Sequence, residues 1–290
     1  DEYDTAFFDK RSKFIHYHPK TLVINNIEFD HADIFDDITH IKRHFHQLIR
    51  TIPQQGKIII NQQDKNIKDT VAMGIWSEVE EFNSSQSWYV DSINEEKLLF
   101  YKNKKIGNLN WNLIGEHNEI NAMAAILAAR HIGVPEENAL RSLSSFKNTK
   151  RRLEIIYNKN NLTIYDDFAH HPTAIHFIAN TFKKNFPDDK TLFVIDPRSN
   201  TMKRGDLKAE LKNNLIDISA FILFSKDLLW DPARFLKDLN SKILISDDIS
   251  IIFEKLKNII FDYDNVVFLS NGSFEGIQRK ITNYLENENF

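Results

Sequence analysis

Apolar and polar positions along the 290-residue chain change rhythm near the middle. Residues 21–25 (TLVIN) are an apolar run bounded by polar residues, which predicts a buried strand. Residues 36–52 follow with apolar positions at Ile38, Ile41, Phe45, Leu48, Ile49 and Ile52. That spacing is helical, and Asp36 or Asp37 suits the N-cap. Residues 57–61 (KIIIN) read as a second buried strand. Residues 87–112 alternate and carry Asn-Glu and Lys-Asn turn material, which predicts an antiparallel meander. A helix is expected over 117–131, where Ala122, Ala124, Ala125, Ala128 and Ala129 permit close packing. Another is expected over 135–146, with Pro135 at its start.

The polar, basic stretch KNTKRR at 147–152 marks a domain boundary, dividing the chain into residues 1–149 and 150–290. A hairpin is expected beyond it, with strands at 153–157 and 162–166 and a turn at 158–161. Strand and helix patterns then alternate regularly. The strands fall at 191–195, 221–224, 242–245 and 266–269. The helices fall at 172–186, 206–218, 232–239, 249–261 and 275–286. Near-continuous apolar strands alternating with helices imply an α/β fold with a mostly parallel sheet covered on both faces. Ligands of such sheets collect at the carboxyl ends of the strands. The segments to inspect are therefore 166–171, 196–201, 225–226 and 270–272.

Composition narrows the possible chemistry. The chain has only 8 glycines, of which Gly272 and Gly276 alone lie within five residues of each other. A phosphate loop or dinucleotide fingerprint needs tightly clustered glycines, because backbone must approach phosphate with no Cβ in the way. No such cluster exists, so a complete nucleotide cradle is not expected within these residues. A net charge of −4 argues against a general nucleic-acid binder. The absence of cysteine excludes a disulfide framework and thiolate zinc sites. No apolar run approaches membrane-spanning length, so the expectation is a cytoplasmic protein without a membrane partner. The first residue is Asp1 rather than methionine, which suggests that something came before it.

Several constellations could carry chemistry. Glu28, Asp30 and His31 follow the first strand and offer oxygen and imidazole ligands to a divalent ion; the alternative is a polar loop with a capping aspartate. Asp166-Asp167-Phe168-Ala169-His170-His171-Pro172 stands at a strand end and leads into a helix. Its acids and imidazoles suit ribose hydroxyls, an amine or a metal, or simply a capped helix start. Residues 196–204 (DPRSNTMKR) place three cations and three small donors at the next strand end, suited to carboxylate or phosphate. A solvated basic loop is the competing reading there, and equally for Lys150-Arg151-Arg152. His40 and His44 share a helix face, but no glutamate follows His40, so the zinc pattern fails and a solvated face is expected.

Four motifs in order give these constellations a common source. They are DEYDTAFFD at 1–9, NNIEFDH at 25–31, GEHNEINAMAA at 115–125 and DDFAHHPTAI at 166–175. The chain resembles the Mur ligases, ATP-dependent amide-forming enzymes of bacterial cell-wall synthesis. PRSNTMKRGD at 197–206 and SNGSFEGI at 270–277 look like the murein-peptide branch of that family. That branch attaches the recycled tripeptide L-alanyl-γ-D-glutamyl-meso-diaminopimelate to UDP-N-acetylmuramate. The resemblance implies that residues 1–149 are the second half of a central ATP-binding domain. Residues 150–290 would be a Rossmann-like C-terminal domain. The UDP-sugar domain and the phosphate loop would precede Asp1.

Residue by residue, the resemblance implies His31 as a magnesium ligand. It implies Asn118, with His117 and Asn121, on the adenine side of ATP. Arg152 would reach phosphate and Asp167 the ribose. His170 and Arg198 would face the peptide, Arg198 pairing a carboxylate. Ser199, Asn200 and Thr201 would lie near the diaminopimelate end. Phe168 replaces a tyrosine common in the L-alanine-adding enzymes of the family. Catalysis would run through an acyl phosphate, with Arg152 and His170 as participants and Lys147–Arg152 as a hinge. UDP-N-acetylmuramate–L-alanine ligation is the alternative within the family. Outside it stand a metal-dependent hydrolase using Asp30, His31, Asp166 and His170, and a non-catalytic binding module.

Overall fold

The computed structural model describes every residue except Asp1, residues 6–8, Glu95, Asn112 and residues 288–290. Asp1 and residues 6–8 of the DEYDTAFFD motif thus lie outside the described residues. The chain divides into two compact units, Asp1–Lys147 and Asn148–Phe290.

The first unit is built on a six-stranded sheet. Its strands run in chain order: β1 (Thr21–Ile24), β2 (Lys57–Asn61), β3 (Glu78–Phe82), β4 (Trp88–Ile93), β5 (Glu96–Tyr101) and β6 (Lys104–Asn108). The first four pair in parallel, and β4, β5 and β6 form the antiparallel meander. The period of two in β2 explains the layering. Ile58 and Ile60 enter one core with Ile41, Leu48 and Ile49 of α1 (Ile38–Thr51) and Ile67 of α2 (Lys65–Val71). Ile59 enters the opposite core with Ala122, Met123, Ile126 and Leu127 of α3 (Glu116–His131) and Leu140 of α4 (Glu136–Leu143). The α1 N-cap is Asp37, whose Oδ1 accepts the His40 N–H at 2.8 Å.

Two elements of this unit carry no expected signal, α2 and β3. The β3 sequence is EVEEF, three acids in five residues. It lies inside the sheet because its charges find partners. Glu80 accepts the Trp88 indole N–H at 2.9 Å and meets Lys57 at 3.3 Å and Arg130 at 3.0 Å.

The second unit has a six-stranded sheet of a different order. The strands are β7 (Glu154–Lys159), β8 (Leu162–Asp167), β9 (Thr191–Asp196), β10 (Phe221–Phe224), β11 (Lys242–Ser246) and β12 (Asn265–Ser270). Their spatial order is β11-β10-β9-β12-β8-β7, parallel except for the β7–β8 hairpin. That hairpin turns at Asn160 and Asn161, both left-handed at φ 54° and 61°, as a tight two-residue turn requires. Ile164, Val194, Ile222, Val266 and Phe268 pack on one face under α9 (Ile249–Ile259) and α10 (Ile277–Asn287). On the other face, Tyr165 and Phe193 pack against Phe182 of α5 (Pro172–Asn185).

A short helix that the apolar pattern does not predict, α6 (Asn200–Arg204), precedes α7 (Lys208–Leu215), which is the helix expected over 206–218 in shorter form. Ser199 caps the first by accepting the Met202 N–H, and Gly205, left-handed at φ 82°, ends it. The helix expected over 232–239 is the single turn α8 (Pro232–Phe235), capped by Asp231.

Candidate functional site

The carboxyl ends of β8, β9 and β12 concentrate the chemistry of the second unit. The chain leaves β12 toward the α9–α10 face and leaves β8 toward the α5 face, which opens a crevice at these strand ends. Asp166 and Asp167 close β8, Asp196 closes β9 and Ser270 closes β12. All four are buried. Ser270 Oγ donates to Asp196 Oδ2 at 2.8 Å and accepts the Gly272 N–H at 3.0 Å. Burial pushes the Asp196 carboxyl above the ordinary range; the Ser270 hydroxyl and the cations Arg198 and Lys203 pull the other way and do not overcome it.

Asp166 and Asp167 divide their work. Asp166 Oδ2 meets the Arg151 guanidinium at 3.2 Å, and its Oδ1 accepts the Gln278 amide at 3.3 Å. The same guanidinium donates to the Ser270 carbonyl oxygen, so Arg151 ties the end of β8 to the end of β12. Asp167, 3% exposed, accepts two backbone N–H groups, from Leu153 at 2.8 Å and Ala169 at 2.7 Å. Burial raises both carboxyls despite these donors.

The bonds of Asp167 secure a strained turn. Arg151 and Leu153 are left-handed, at φ 58° and 47°, a conformation that costs a non-glycine residue on the order of 1 kcal/mol. The turn holds because Arg151 N donates to Glu154 Oε2 at 2.8 Å, Arg151 O accepts from Phe168 N at 2.9 Å and Leu153 N is bound by Asp167. Arg151 and Arg152 both lie over the exposed Phe168 ring, at 5.3 and 5.6 Å. An aromatic face attracts a cation there without any hydroxyl.

The other expected residues of this unit fall into exposed and buried groups. His170 is half-buried, with Nδ1 3.0 Å from the Phe168 carbonyl oxygen. Arg198 and Asn200 are exposed, and Ser199 is half-buried as the α6 cap. Thr201 is fully buried and presents no surface to a substrate. Arg151 and Asp196 enter the sequence reading only as members of the 150–152 and 196–204 constellations, Ser270 only as a strand end, and Gln278 not at all.

In the first unit, asparagines link the strand ends. Asn25 donates to Asn121 Oδ1 at 2.8 Å, Asn61 to the Asn25 carbonyl at 3.0 Å, and Asn83 to Asn61 Oδ1 at 3.1 Å. Asn118 donates to the Ile114 carbonyl at 2.7 Å, steadying the entry to α3 that carries His117. His31 is left-handed at φ 55°; its Nε2 lies 3.4 Å from Glu2, and its ring meets Tyr3 edge-on. Among the described residues, no group of three or more His, Asp or Glu side chains is placed to hold a metal ion. The Glu28, Asp30 and His31 constellation therefore does not form a complete cage.

The α1 histidines depart from the solvated face expected of them. His44 Nδ1 is 2.7 Å from Ser12 Oγ, and its ring packs on Phe35 and His40. Burial lowers its pKa, with His40 adding to the effect. Phe35, His40 and His44 border a cleft of about 520 Å³ with Asp4, Lys10, Arg11 and Gln47. No helix among the described residues is long and apolar enough to cross a membrane.

Comparison with known proteins agrees with this division. The Mur ligase middle domain matches residues 6–129, and the Mur ligase glutamate ligase domain matches residues 151–272. The UDP-N-acetylmuramate–L-alanyl-γ-D-glutamyl-meso-2,6-diaminoheptandioate ligase of Haemophilus influenzae is 40% identical over 99% of this chain and 64% of its own length. The Escherichia coli enzyme of the same name is 42% identical over 97% of this chain and 63% of its own length. The crystal structure of a murein peptide ligase from Psychrobacter arcticus superposes with a TM-score of 0.70 at 34% identity, covering 99% of this chain and 62% of that one. Proteins named UDP-N-acetylmuramate–L-alanine ligase match more weakly, at 32% and 26% identity. The chain spans less than two thirds of the length of these two curated relatives from Haemophilus influenzae and Escherichia coli.

Proposed function

This chain belongs to the Mur ligase family, and from that premise we infer that the full-length protein is an ATP-dependent amide ligase of peptidoglycan recycling. It would join L-alanyl-γ-D-glutamyl-meso-diaminopimelate to UDP-N-acetylmuramate and work in the cytoplasm. The observation that carries this reading is the crevice of the second unit. Exposed Arg198 there stands beside buried Asp196 and Ser270, where a parallel sheet binds ligands.

In this reading the lactyl carboxylate oxygen of the sugar attacks the γ-phosphorus of ATP, and ADP departs. The peptide amine then attacks the acyl carbon. The carbon–oxygen bond to phosphate breaks, inorganic phosphate leaves, and the nitrogen loses a proton. No protein nucleophile is needed; the requirement is positioning and charge compensation. Arg152 supplies a cation for phosphate. Asp167 holds the turn that carries Arg152 and serves the ribose side. Asn118 and Asn121, with His117, serve the adenine. His170 and Arg198 face the peptide, and Arg198 pairs with a carboxylate through its planar fork.

Magnesium belongs to the same expectation. His31 offers one imidazole toward it, and the described residues do not complete its site, so no step is drawn through the metal.

UDP-N-acetylmuramate–L-alanine ligation is the second reading, which the weaker identities of proteins with that name support less. Steady-state rates of the full-length protein with tripeptide and with L-alanine decide between them. A kcat/KM at least about a hundredfold higher for tripeptide is expected. A preference for L-alanine would overturn the assignment.

A further inference from the structure

Seven glycines of this chain have their surroundings defined, and Gly272 differs from most of them in what excludes a side chain. Its φ lies outside the left-handed region, so the backbone tolerates an L-residue. Space does not. A Cβ at 272 would lie 2.6 Å from Arg198 Cδ, 2.8 Å from Arg198 Nη1 and 3.1 Å from Arg198 Nε. All three nearest atoms belong to one arginine, whose side chain therefore lies along the bare backbone of residue 272.

That backbone is itself held from below. The Gly272 N–H donates to Ser270 Oγ at 3.0 Å, and Ser270 Oγ donates to buried Asp196 Oδ2 at 2.8 Å. Asp196 stands two residues before Arg198, at the end of the neighbouring strand. The relay thus links both ends of one arrangement: the strand that launches Arg198 and the loop on which its side chain rests. Ser270 and Asp196 are 0% and 3% exposed, which shields the relay from water.

We propose that Gly272, fixed by the Ser270–Asp196 relay, is the platform that positions Arg198, so that Gly272 sets specificity for a carboxylate-bearing amine substrate without touching it. The platform rests on the reading of Arg198 as the carboxylate partner. A long, exposed arginine left unsupported samples many rotamers, and ordering it on binding costs affinity. Laying it on a flat glycine surface meets that cost in advance. Alanine at 272 displaces a side chain rather than strained backbone, so the fold is expected to survive the substitution.

The test is a double-mutant cycle in the full-length ligase, reading the KM values for tripeptide and for ATP. Gly272→Ala is expected to raise the tripeptide KM about tenfold, the scale of one weakened charge-assisted hydrogen bond. The ATP KM and the thermal midpoint should stay within experimental error. In an Arg198→Ala background, Gly272→Ala should add nothing, because its effect runs through Arg198. Additive effects, or a Gly272→Ala effect on both KM values alike, would overturn the platform. If Arg198→Ala alone leaves the tripeptide KM unchanged, the carboxylate role of Arg198 fails, a separate outcome that removes the platform with it. Ser270→Ala should reproduce a smaller part of the Gly272→Ala effect, and Ser270→Thr, which keeps the hydroxyl, should restore it. Equal defects in both Ser270 variants would also contradict the relay.

Discussion

The two units use similar sheets and treat their acids in opposite ways. In the first, Asp9, Asp69 and Glu78 sit at the surface, and hydrogen bonds from Arg11, Lys42 and Lys57 hold them below the ordinary carboxylate range. In the second, Asp166, Asp167 and Asp196 are buried at strand ends, and loss of water pushes them upward. A surface pair of the first kind is tolerated almost anywhere on a protein. A buried acid at the mouth of a parallel sheet costs stability and persists where a site needs it. The difference supports the proposal that substrate chemistry lies at the carboxyl end of the second sheet.

The largest stability effect is expected from Arg151. Replacing it with methionine leaves the buried Asp166 carboxylate without its ion pair and unties β8 from β12. A loss of about 3 kcal/mol is expected from chemical denaturation of the second unit. A change below about 1 kcal/mol would show that the buried acids need no such support. Glu136→Gln in the first unit should cost less than about 1 kcal/mol, since Arg130 keeps Glu80 and the Trp88 face. Comparable losses in both variants would erase the contrast between the units.

Acidity gives the smallest effect, and its sign separates the units. A carboxyl whose folded pKa is raised binds more protons folded than unfolded. As pH falls through that raised value toward the ordinary 3.8, Asp166, Asp167 and Asp196 add stability to the second unit. Asp9, Asp69 and Glu78 behave oppositely. Their contribution is present above the ordinary values of 3.8 and 4.5 and is lost as pH falls through these toward the lowered ones. Denaturation followed in each unit by hydrogen exchange with mass detection should therefore favour the second unit progressively as pH falls toward and below the ordinary carboxylate values. Parallel pH profiles in the two units would contradict the assignment of these shifts.

Most of the architecture was legible in the apolar spacing, because β2, β9, β10 and β12 are buried on both faces and read as apolar runs. β3 was not legible. Its EVEEF sequence satisfies a sheet only through Lys57, Arg130 and Trp88, which lie 21 or more, 50 and 8 residues from Glu78–Glu80 along the chain. α6 carries no expected signal, because the five residues between the Ser199 cap and the Gly205 stop are too few to show a helical period. Among site residues, strand-end position directs attention to Asp166 and Asp167 at the end of β8 and to Arg198 just past the end of β9. It gave no means of telling Arg151 from Arg152. That choice depends on a left-handed turn at Arg151, which aims one guanidinium at Asp166 and leaves the other exposed. His44 was read as solvated because period alone does not reveal that Ser12 and Phe35 cover it.

The contrast between the units is decided most directly by comparing Arg198→Ala with His44→Ala in the full-length ligase. Both residues stand among charged neighbours, one at the crevice of the second sheet and one at the α1 cleft of the first unit. Arg198→Ala should raise the tripeptide KM about thirtyfold, equivalent to about 2 kcal/mol, with the ATP KM unchanged. His44→Ala should leave the tripeptide KM within about twofold of the parent. A tripeptide KM that rises with His44→Ala and not with Arg198→Ala would place the peptide in the wrong unit.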